Sequence, residues 1–303
     1  QRRNKMKILF ATDGSDTAQA ALDLMQGFPF PENSEVTLLT VMDKDVFTDD
    51  GYHGLSNEQR TSLRETEDSV RGEAQQFTAK QADSLREAGL TTNALVRTGH
   101  PADEIVSTAE EIGADLIVLG SHGLAGIKRF LLGGVSATVF THAPCSVLIV
   151  KGTHDHRAAG DRLRLLLGYD GSPSAKKAAE FCAKLPMGDH VEVTAVNVLP
   201  LVTLFRQDIA QQLTWLWQEK KRVAKDALDR VKSEINWLTK NVETQLHESG
   251  DVASKILDVA EEQDSDLIVV GDKGKGAVEK FLVGTITARV AAHAPYSVLV
   301  VRT

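Results

Sequence analysis

The two halves of this sequence are copies of each other, and this repeat restricts the fold more than any other feature. Residues 115–120 read Asp-Leu-Ile-Val-Leu-Gly, and residues 266–271 read Asp-Leu-Ile-Val-Val-Gly. Residues 142–150 return at 293–301, and residues 7–15 return at 164–172, where both copies end in Asp-Gly-Ser. Self-similarity over about half of a 303-residue chain predicts two domains of one fold in tandem.

A polar stretch separates the two copies. Residues 152–161 are charged or small and show no apolar periodicity, which is typical of a linker. We therefore predict a first domain at 1–152, a linker at 153–161 and a second domain at 162–303.

Within each copy, short runs of Val, Ile and Leu alternate with longer stretches of helical spacing, which indicates βαβ units. The predicted strands are 6–12, 35–42, 92–98, 115–119 and 146–151, then 163–169, 190–198, 242–248, 266–270 and 297–302. Helices of the first copy are predicted at 17–26, 58–88, 102–112 and 135–141. The expected fold is α/β, with two tandem doubly wound, Rossmann-like domains. Each has a five-stranded parallel sheet, order 3-2-1-4-5, flanked by helices.

Charge and cysteine usage exclude several classes of protein. The formal net charge of −8 argues against a general nucleic-acid or membrane-surface binder, and no apolar run approaches the roughly 20 residues that span a bilayer. Cys145 and Cys182 belong to no CxxC or metal-type pattern, which indicates a reduced compartment. We expect a soluble, cytoplasmic protein that binds neither nucleic acid nor membrane.

Glycines follow the fourth predicted strand of each copy at a fixed spacing. In the second copy, Gly271 and Gly274 precede nine residues and then Gly284-Thr285. Glycines let backbone N–H groups approach a ligand closely, and a helix N-terminus presents unpaired donors to an anion. The spacing therefore predicts a phosphate cradle. The first copy has the same spacing at Gly120, Gly123, Gly133 and Gly134 but lacks the hydroxyl.

An aspartate follows the first strand of each copy, at Asp13 and Asp170. In an open α/β sheet, ligands bind beyond the carboxyl ends of the strands where the strand order reverses. With the order 3-2-1-4-5, Asp13 is expected to face Gly120, and Asp170 to face Gly271. A carboxylate there is well placed to accept from an exocyclic amine or a hydroxyl.

An Asp after strand one, followed by G-x-x-G, nine residues and G-[S/T] after strand four, resembles the ATP-binding branch of the universal stress protein family. The Gly-Ser-His-Gly turn at 120–123 and the Gly-His-Pro-Ala helix start at 99–102 are also similar to that family. The resemblance covers residues 6–151 and 162–302. It implies a regulatory or sensing role in the stress response and the binding of ATP or a related adenine nucleotide, in some members with a divalent metal such as Mg²⁺.

The same resemblance implies which residues contact the nucleotide. Adenine is expected next to Asp170 and Val198 in the second copy, and next to Asp13 and Val41 in the first. The phosphates are expected on the glycine loops, at Gly271, Gly274, Gly284 and Thr285, and at Gly120, Gly123 and Gly133.

Two positions depart from the family pattern. Gly134 stands where the family's nucleotide binders have Ser or Thr, and a lost hydrogen bond to a charged phosphate costs about 1.5–3 kcal/mol. Asp272 adds a negative charge to the second turn, which the neighbouring Lys273 can offset. We therefore predict that the second copy binds nucleotide more tightly.

Simpler interpretations of the same residues stay open. Glycine-rich turns often only reverse the chain, and Asp13 and Asp170 could be mere N-caps of the following helices. A nucleotide-free interaction scaffold with an unknown protein partner is therefore an alternative function. A weak ATPase is another, but no catalytic base or P-loop is present. The cations near the loops are Lys128, Arg129, Lys273 and Lys275.

The last strand of each copy lies at a sheet edge if the predicted order is right. The runs 147–150 and 298–301 are wholly apolar, and exposed apolar edges are a liability. We predict that they pair across a pseudo-two-fold axis, which makes one chain an intramolecular pseudo-dimer. Whether whole chains form a homodimer stays open.

Overall fold

The computed structural model describes residues 5–44, 56–123, 132–152, 162–186, 188–201, 214–236, 239–274 and 283–303. These residues fall into two compact units, which change over at Gly152. The predicted linker lies outside the described residues.

The first unit alternates strands and helices along its described residues. The strands are β1 (Lys7–Ala11), β2 (Glu35–Asp43), β3 (Thr91–Gly99), β4 (Leu116–Gly120) and β5 (Ser146–Val150). The helices are α1 (Asp16–Gly27), α2 (Asn57–Glu87), α3 (Pro101–Ile112) and α4 (Gly134–His142). The strand pairings of this unit are parallel and give the order β3-β2-β1-β4-β5, as predicted.

The second unit repeats this plan. Its strands are β6 (Leu163–Gly168), β7 (Val191–Pro200), β8 (Val242–Ser249), β9 (Leu267–Gly271) and β10 (Ser297–Val301). Its helices are α5 (Pro173–Cys182), α6 (Thr214–Ile235), α7 (Val252–Glu262) and α8 (Thr285–His293). The parallel pairings give the order β8-β7-β6-β9-β10, which is the same topology.

The fourth and fifth strands of each unit are buried along almost their whole length. Strands β5, β9 and β10 are buried at every position, and β4 at every position except its last. Continuous Val, Ile and Leu runs form such strands because helices cover both faces of a parallel sheet.

The first helix of each unit begins at the carboxyl edge of the sheet. Helix α1 packs on β4 and β5, and α5 packs on β9 and β10. The strand order reverses between β1 and β4, and between β6 and β9, so each reversal lies beside a helix start. Among the described helices, none has the length and apolar content needed to cross a bilayer.

Candidate functional site

The Asp-Gly-Ser turn has the same conformation in both units. The Ser15 N–H donates to Oδ1 of Asp13 over 3.0 Å, and the Ser172 N–H donates to Oδ1 of Asp170 over 2.9 Å. The intervening glycines have φ of +76°, a region that disfavours residues with a side chain. Each turn therefore fixes one carboxylate oxygen of its aspartate.

The helix caps that follow these turns are serines. The Ser15 hydroxyl accepts from the Ala18 N–H, and the Ser172 hydroxyl accepts from the Ala175 N–H. The simpler interpretation of Asp13 and Asp170 as N-caps is therefore wrong. Each aspartate lies two residues before the cap.

The second oxygen of each aspartate lies next to the last glycine of the G-x-x-G turn. A Cβ built on Gly123 would lie 2.7 Å from Oδ2 of Asp13, and one on Gly274 would lie 3.5 Å from Oδ2 of Asp170. The aspartates therefore lie next to this glycine and not next to Gly120 or Gly271, which we expected to face them.

The first glycine of each turn has a packing function. A Cβ on Gly120 would collide with Oγ1 of Thr17 and would lie 2.8 Å from the backbone carbon of Thr17. A Cβ on Gly271 would lie 2.6 Å from the backbone carbon of Ser174. These two glycines let the first helix approach the fourth strand of its unit, so their lack of a side chain is already explained without a ligand.

Hydroxyl groups hold the glycine turn against the first helix. In the first unit, the hydroxyls of Ser15 and Thr17 both donate to the carbonyl of His122, the former over 3.2 Å. In the second, the Ser172 hydroxyl donates to the carbonyl of Lys273 over 3.4 Å. The contact of Thr17 was not predicted, although a hydroxyl two residues after a serine that follows the first strand was a visible signal.

The helix that follows the loop starts at the expected glycines. Gly133 and Gly284 are the N-caps of α4 and α8. Their N–H groups donate to the carbonyls of Ser121 and Asp272, over 2.8 and 2.7 Å. This ties the start of each helix to the end of the fourth strand. Within the described residues, no side chain caps either helix, and the N–H groups of a first helical turn suit an anion.

The position that distinguishes the two helix starts is accessible. Gly134 and Thr285 are each the first residue of their helix, and both are exposed. A Cβ on Gly134 would meet no atom within 4 Å. The first unit therefore has space for a hydroxyl-bearing side chain at position 134, and it lacks the hydroxyl because this residue is a glycine.

Two further helix residues, which were not predicted from the sequence, hold the starts of α4 and α8 against the fourth strands. The Ser136 hydroxyl donates to the carbonyl of Ser121 over 2.6 Å, and the Thr287 hydroxyl donates to the carbonyl of Gly271 over 2.7 Å. Both side chains are buried. They fix the distance between the end of the fourth strand and the helix.

Val41 and Val198 lie where the neighbouring first strand has already ended. The Thr12 N–H donates to the carbonyl of Leu39 over 2.9 Å, so the backbone of Leu39 faces β1. Because alternate residues of a strand face the same neighbour, Val41 directs its N–H and C=O to the space beyond β1. The carbonyl of Val196 accepts from the N–H of Tyr169. Val198 lies two residues further along β7, so it directs its N–H and C=O to the space beyond β6.

The extra charge of the second turn contacts the first helix of its unit. The Asp272 carboxylate is buried and accepts from the Ser174 hydroxyl over 2.8 Å and from the Thr303 hydroxyl over 3.3 Å. The Lys273 ammonium lies 3.6 Å from it. The carboxylate thus holds α5, and the neighbouring lysine offsets its charge as expected. Of the other predicted cations, Lys128, Arg129 and Lys275 lie outside the described residues.

Two titratable groups at the carboxyl edges have shifted pKa values. Lys151 follows β5 directly, and burial lowers the pKa of its ammonium to about 8. Tyr169 follows β6 directly, and burial raises the pKa of its phenol, with Glu234 adding to the shift. Neither residue was identified from the sequence, because a single Lys or Tyr after a strand carries no pattern.

Among the described residues, no group of three or more His, Cys, Asp or Glu side chains could hold a metal ion. The helix-terminal histidines His142 and His293 instead contact the carbonyls of Thr138 and Arg289 through Nδ1, over 3.0 and 2.9 Å.

Comparison with known proteins gives one consistent result. The sequence profile of the Universal stress protein family matches this chain twice, at residues 5–151 and 162–302. A universal stress protein of Mycolicibacterium smegmatis is 28% identical over 246 residues, which are 80% of this chain and 80% of that protein. The universal stress protein MJ0577 of Methanocaldococcus jannaschii is 34% identical over 152 residues, which are 48% of this chain and 94% of that protein.

A solved structure of about the same length shares the fold. The crystal structure of a universal stress protein from Archaeoglobus fulgidus superposes with a TM-score of 0.63 at 22% identity, over 98% of this chain and 96% of that one. The two profile matches cover both structural units and nearly all of the sequence. The chain therefore belongs to the universal stress protein family and carries two copies of the family's domain in tandem.

Proposed function

We propose that this protein binds an adenine nucleotide, with ATP as the best fit, at the carboxyl edge of each sheet and that it acts as a regulator or sensor in stress adaptation. The observation that carries the proposal is the pairing of an aspartate with a glycine at both edges. A Cβ on Gly123 would come within 2.7 Å of Asp13, and a Cβ on Gly274 within 3.5 Å of Asp170. At Gly123, a side chain would displace the Asp13 carboxylate from its place beside the loop.

The nucleoside part fits the aspartate side of the crevice. A carboxylate accepts hydrogen bonds, so Asp13 and Asp170 suit the exocyclic amine of adenine or a ribose hydroxyl. The backbone N–H and C=O of Val41 and Val198 lie beyond the ends of β1 and β6, where they can pair with the edge of a base. These groups favour adenine over guanine, because guanine presents a carbonyl oxygen where adenine presents its amine.

The phosphates fit the glycine loop and the following helix. The first turns of α4 and α8 present N–H groups and the positive end of the helix dipole. Thr285 adds a hydroxyl in the second unit, where the first unit has Gly134. The second unit therefore binds the nucleotide more tightly in this proposal. A divalent metal such as Mg²⁺ would then be held mainly by the phosphates, since the described residues offer no metal-type cluster.

Calorimetric titration of the nucleotide-stripped full chain with ATP and GTP tests the proposal. We expect ATP to bind more tightly than GTP, and we expect the double variant Asp13→Ala/Asp170→Ala to lose that preference. The variant Asp16→Ala, which removes an exposed carboxylate three residues after Asp13, is the matched control and should behave as the parent. Absence of ATP binding in the parent would favour the nucleotide-free scaffold instead.

A further inference from the structure

In the first unit, one aromatic ring lies against the turn that carries Asp13. A Cβ built on Gly14 would lie 3.1 Å from Cζ and 3.4 Å from Cε2 of Phe77, a residue of α2. Gly14 directly follows Asp13 in the Asp-Gly-Ser turn. The tip of the ring is therefore next to the chain where β1 has just ended, beside the residue whose carboxylate faces the glycine loop.

The same part of α2 lies over the end of β2. Thr78, the next residue of the helix, donates from its hydroxyl to Oγ1 of Thr40 over 2.8 Å. Thr40 is followed by Val41, whose N–H and C=O are directed to the space beyond β1. Phe77 therefore borders the gap between the end of β1 and the end of β2, which is where the proposed site places the base.

The ring is only half-buried, unlike the side chains of α2 that pack on the sheet. Thr78, Ala82 and Leu85 are buried, whereas Phe77 keeps part of its surface open. Open apolar surface costs free energy in water. A flat aromatic base that lies beyond the end of β1 would cover this surface, and the carboxylate and backbone groups of the site offer the base hydrogen bonds but no such face.

In the second unit, a methyl group stands at the same place. A Cβ on Gly171 would lie 3.5 Å from the Cβ of Ala227 in α6, so this alanine is the counterpart of the phenylalanine. Tyr169 brings an aromatic ring into the second unit from the strand side, but it is buried, and its phenol is influenced by charges in the second half of α6. This ring therefore packs under the helix and presents no open face beside the turn.

We propose that the base of the nucleotide stacks on Phe77 in the first unit, a contact that the second unit lacks because it has Ala227. The inference rests on the proposed nucleotide sites and adds an aromatic contact to one of them. The second unit has the hydroxyl of Thr285 at the phosphates, where the first has Gly134. The base therefore contributes a larger share of the affinity in the first unit.

Calorimetric titration with ATP tests this proposal one site at a time. Gly284→Asp places a negative charge at the start of α8 and blocks the second site, and Gly133→Asp blocks the first site in the same way. In the Gly284→Asp background, Phe77→Leu should weaken ATP binding at least about fivefold, because leucine keeps the apolar bulk but has no aromatic face. Phe77→Tyr keeps that face and should bind as before. In the Gly133→Asp background, Phe77→Leu should leave the affinity unchanged.

Ribose 5-triphosphate, which carries no base, separates stacking from general damage to the site. Its affinity in the Gly284→Asp background should not change on Phe77→Leu, and thermal melting checks that this variant is folded. An unchanged ATP affinity in folded Phe77→Leu, or an equal loss for ribose 5-triphosphate, would overturn the proposal. Absence of ATP binding in both backgrounds would instead refute the nucleotide sites themselves, and the stacking contact with them.

Discussion

The Oδ2 atom of Asp13 lies so close to Gly123 that a Cβ on this glycine would be 2.7 Å away from it. The other oxygen, Oδ1, accepts from the Ser15 N–H. One oxygen of the carboxylate is therefore fixed by its own turn, and the other faces the glycine loop. The equivalent separation between Gly274 and Asp170 is 3.5 Å, so the Asp13 carboxylate lies closer to its glycine than the Asp170 carboxylate does.

We predict that Gly123→Ala displaces the Asp13 carboxylate and weakens nucleotide binding to the first unit at least about tenfold, while leaving the fold intact. The carboxylate can move, because the contact involves the end of a side chain. Calorimetry in a Gly284→Asp background, where the second site is blocked, isolates the first site. In the matched Gly133→Asp background, Gly274→Ala should leave Asp170 in place, because 3.5 Å is an ordinary contact, and should weaken binding less. Equal losses in both units would contradict the argument.

Substitution of the first glycine of each turn should primarily lower the stability of the protein. A methyl group on Gly120 or Gly271 collides with the backbone of the adjacent helix, so each helix must shift. We expect Gly120→Ala and Gly271→Ala to lower the free energy of unfolding by about 1–3 kcal/mol. Urea denaturation measures this, with Gly134→Ala as the control because its Cβ meets no atom within 4 Å. Unchanged stability in both variants would show that the helices do not pack as described.

Exchanging the residues at the two helix starts should exchange the affinities of the two sites. Gly134→Thr adds a hydroxyl where the structure has space, and Thr285→Gly removes one. A hydrogen bond to a charged phosphate contributes about 1.5–3 kcal/mol, or roughly ten- to a hundredfold in affinity. We expect the double variant to bind ATP more tightly in the first unit, as measured by titration with the other site blocked. Adenosine, which has no phosphate, should bind as before, and a parallel change for adenosine would argue against a phosphate contact.

The buried ammonium of Lys151 should make stability depend on alkaline pH. Burial lowers the pKa of Lys151 from 10.5 to about 8, so between these values the unfolded state binds more protons than the folded state. Stability therefore rises with pH from about 8 to 10.5 through this group. We expect Lys151→Met to stabilise the protein at pH 7 and to flatten that rise, in melting curves recorded across the window. Lys80→Met, at an exposed lysine, should change neither the stability at pH 7 nor its rise with pH. An unchanged rise in Lys151→Met would show that the Lys151 ammonium does not cause the rise.

The Asp272 carboxylate should contribute to the stability of the second unit. It is buried and accepts from the hydroxyls of Ser174 and Thr303. Asp272→Ala leaves the Ser174 hydroxyl without its acceptor, which costs about 1–3 kcal/mol. Denaturation of this variant, compared with the exposed Asp258→Ala, measures the effect. A loss no greater than that of Asp258→Ala would mean that the contact contributes nothing.

Most of the fold could be predicted because its strands are long apolar runs separated by helical periodicity. Strand β4 was predicted at 115–119 and is Leu116–Gly120, and α2 was predicted at 58–88 and is Asn57–Glu87. The order of strands also followed from the pattern. The end of β7 at Pro200 lies two residues beyond the prediction, because residues near a sheet edge are held by backbone pairing that the apolar pattern does not record.

The sequence placed the aspartates and the glycine turns at the same edge of each sheet, but it did not predict their individual contacts. The sequence placed Asp13 near the glycine turn, yet the residue it meets is Gly123, because Gly120 is occupied by the packing of α1. Contacts of this kind depend on how closely a helix approaches a strand, which spacing in the sequence does not report. The hydroxyl contacts of Thr17, and those of Asp272 with Ser174 and Thr303, were missed for the same reason.

Mass spectrometry of small molecules released by heat from freshly purified protein tests the central claim most directly. The parent and the double variant Gly284→Asp/Thr285→Ala should be prepared side by side, since the variant removes the hydroxyl and places a negative charge at the start of α8. We predict adenine nucleotide in the parent and a clear loss of it in the variant. A parent that releases none, and whose melting temperature does not rise with added Mg-ATP, would contradict nucleotide binding at the glycine loops.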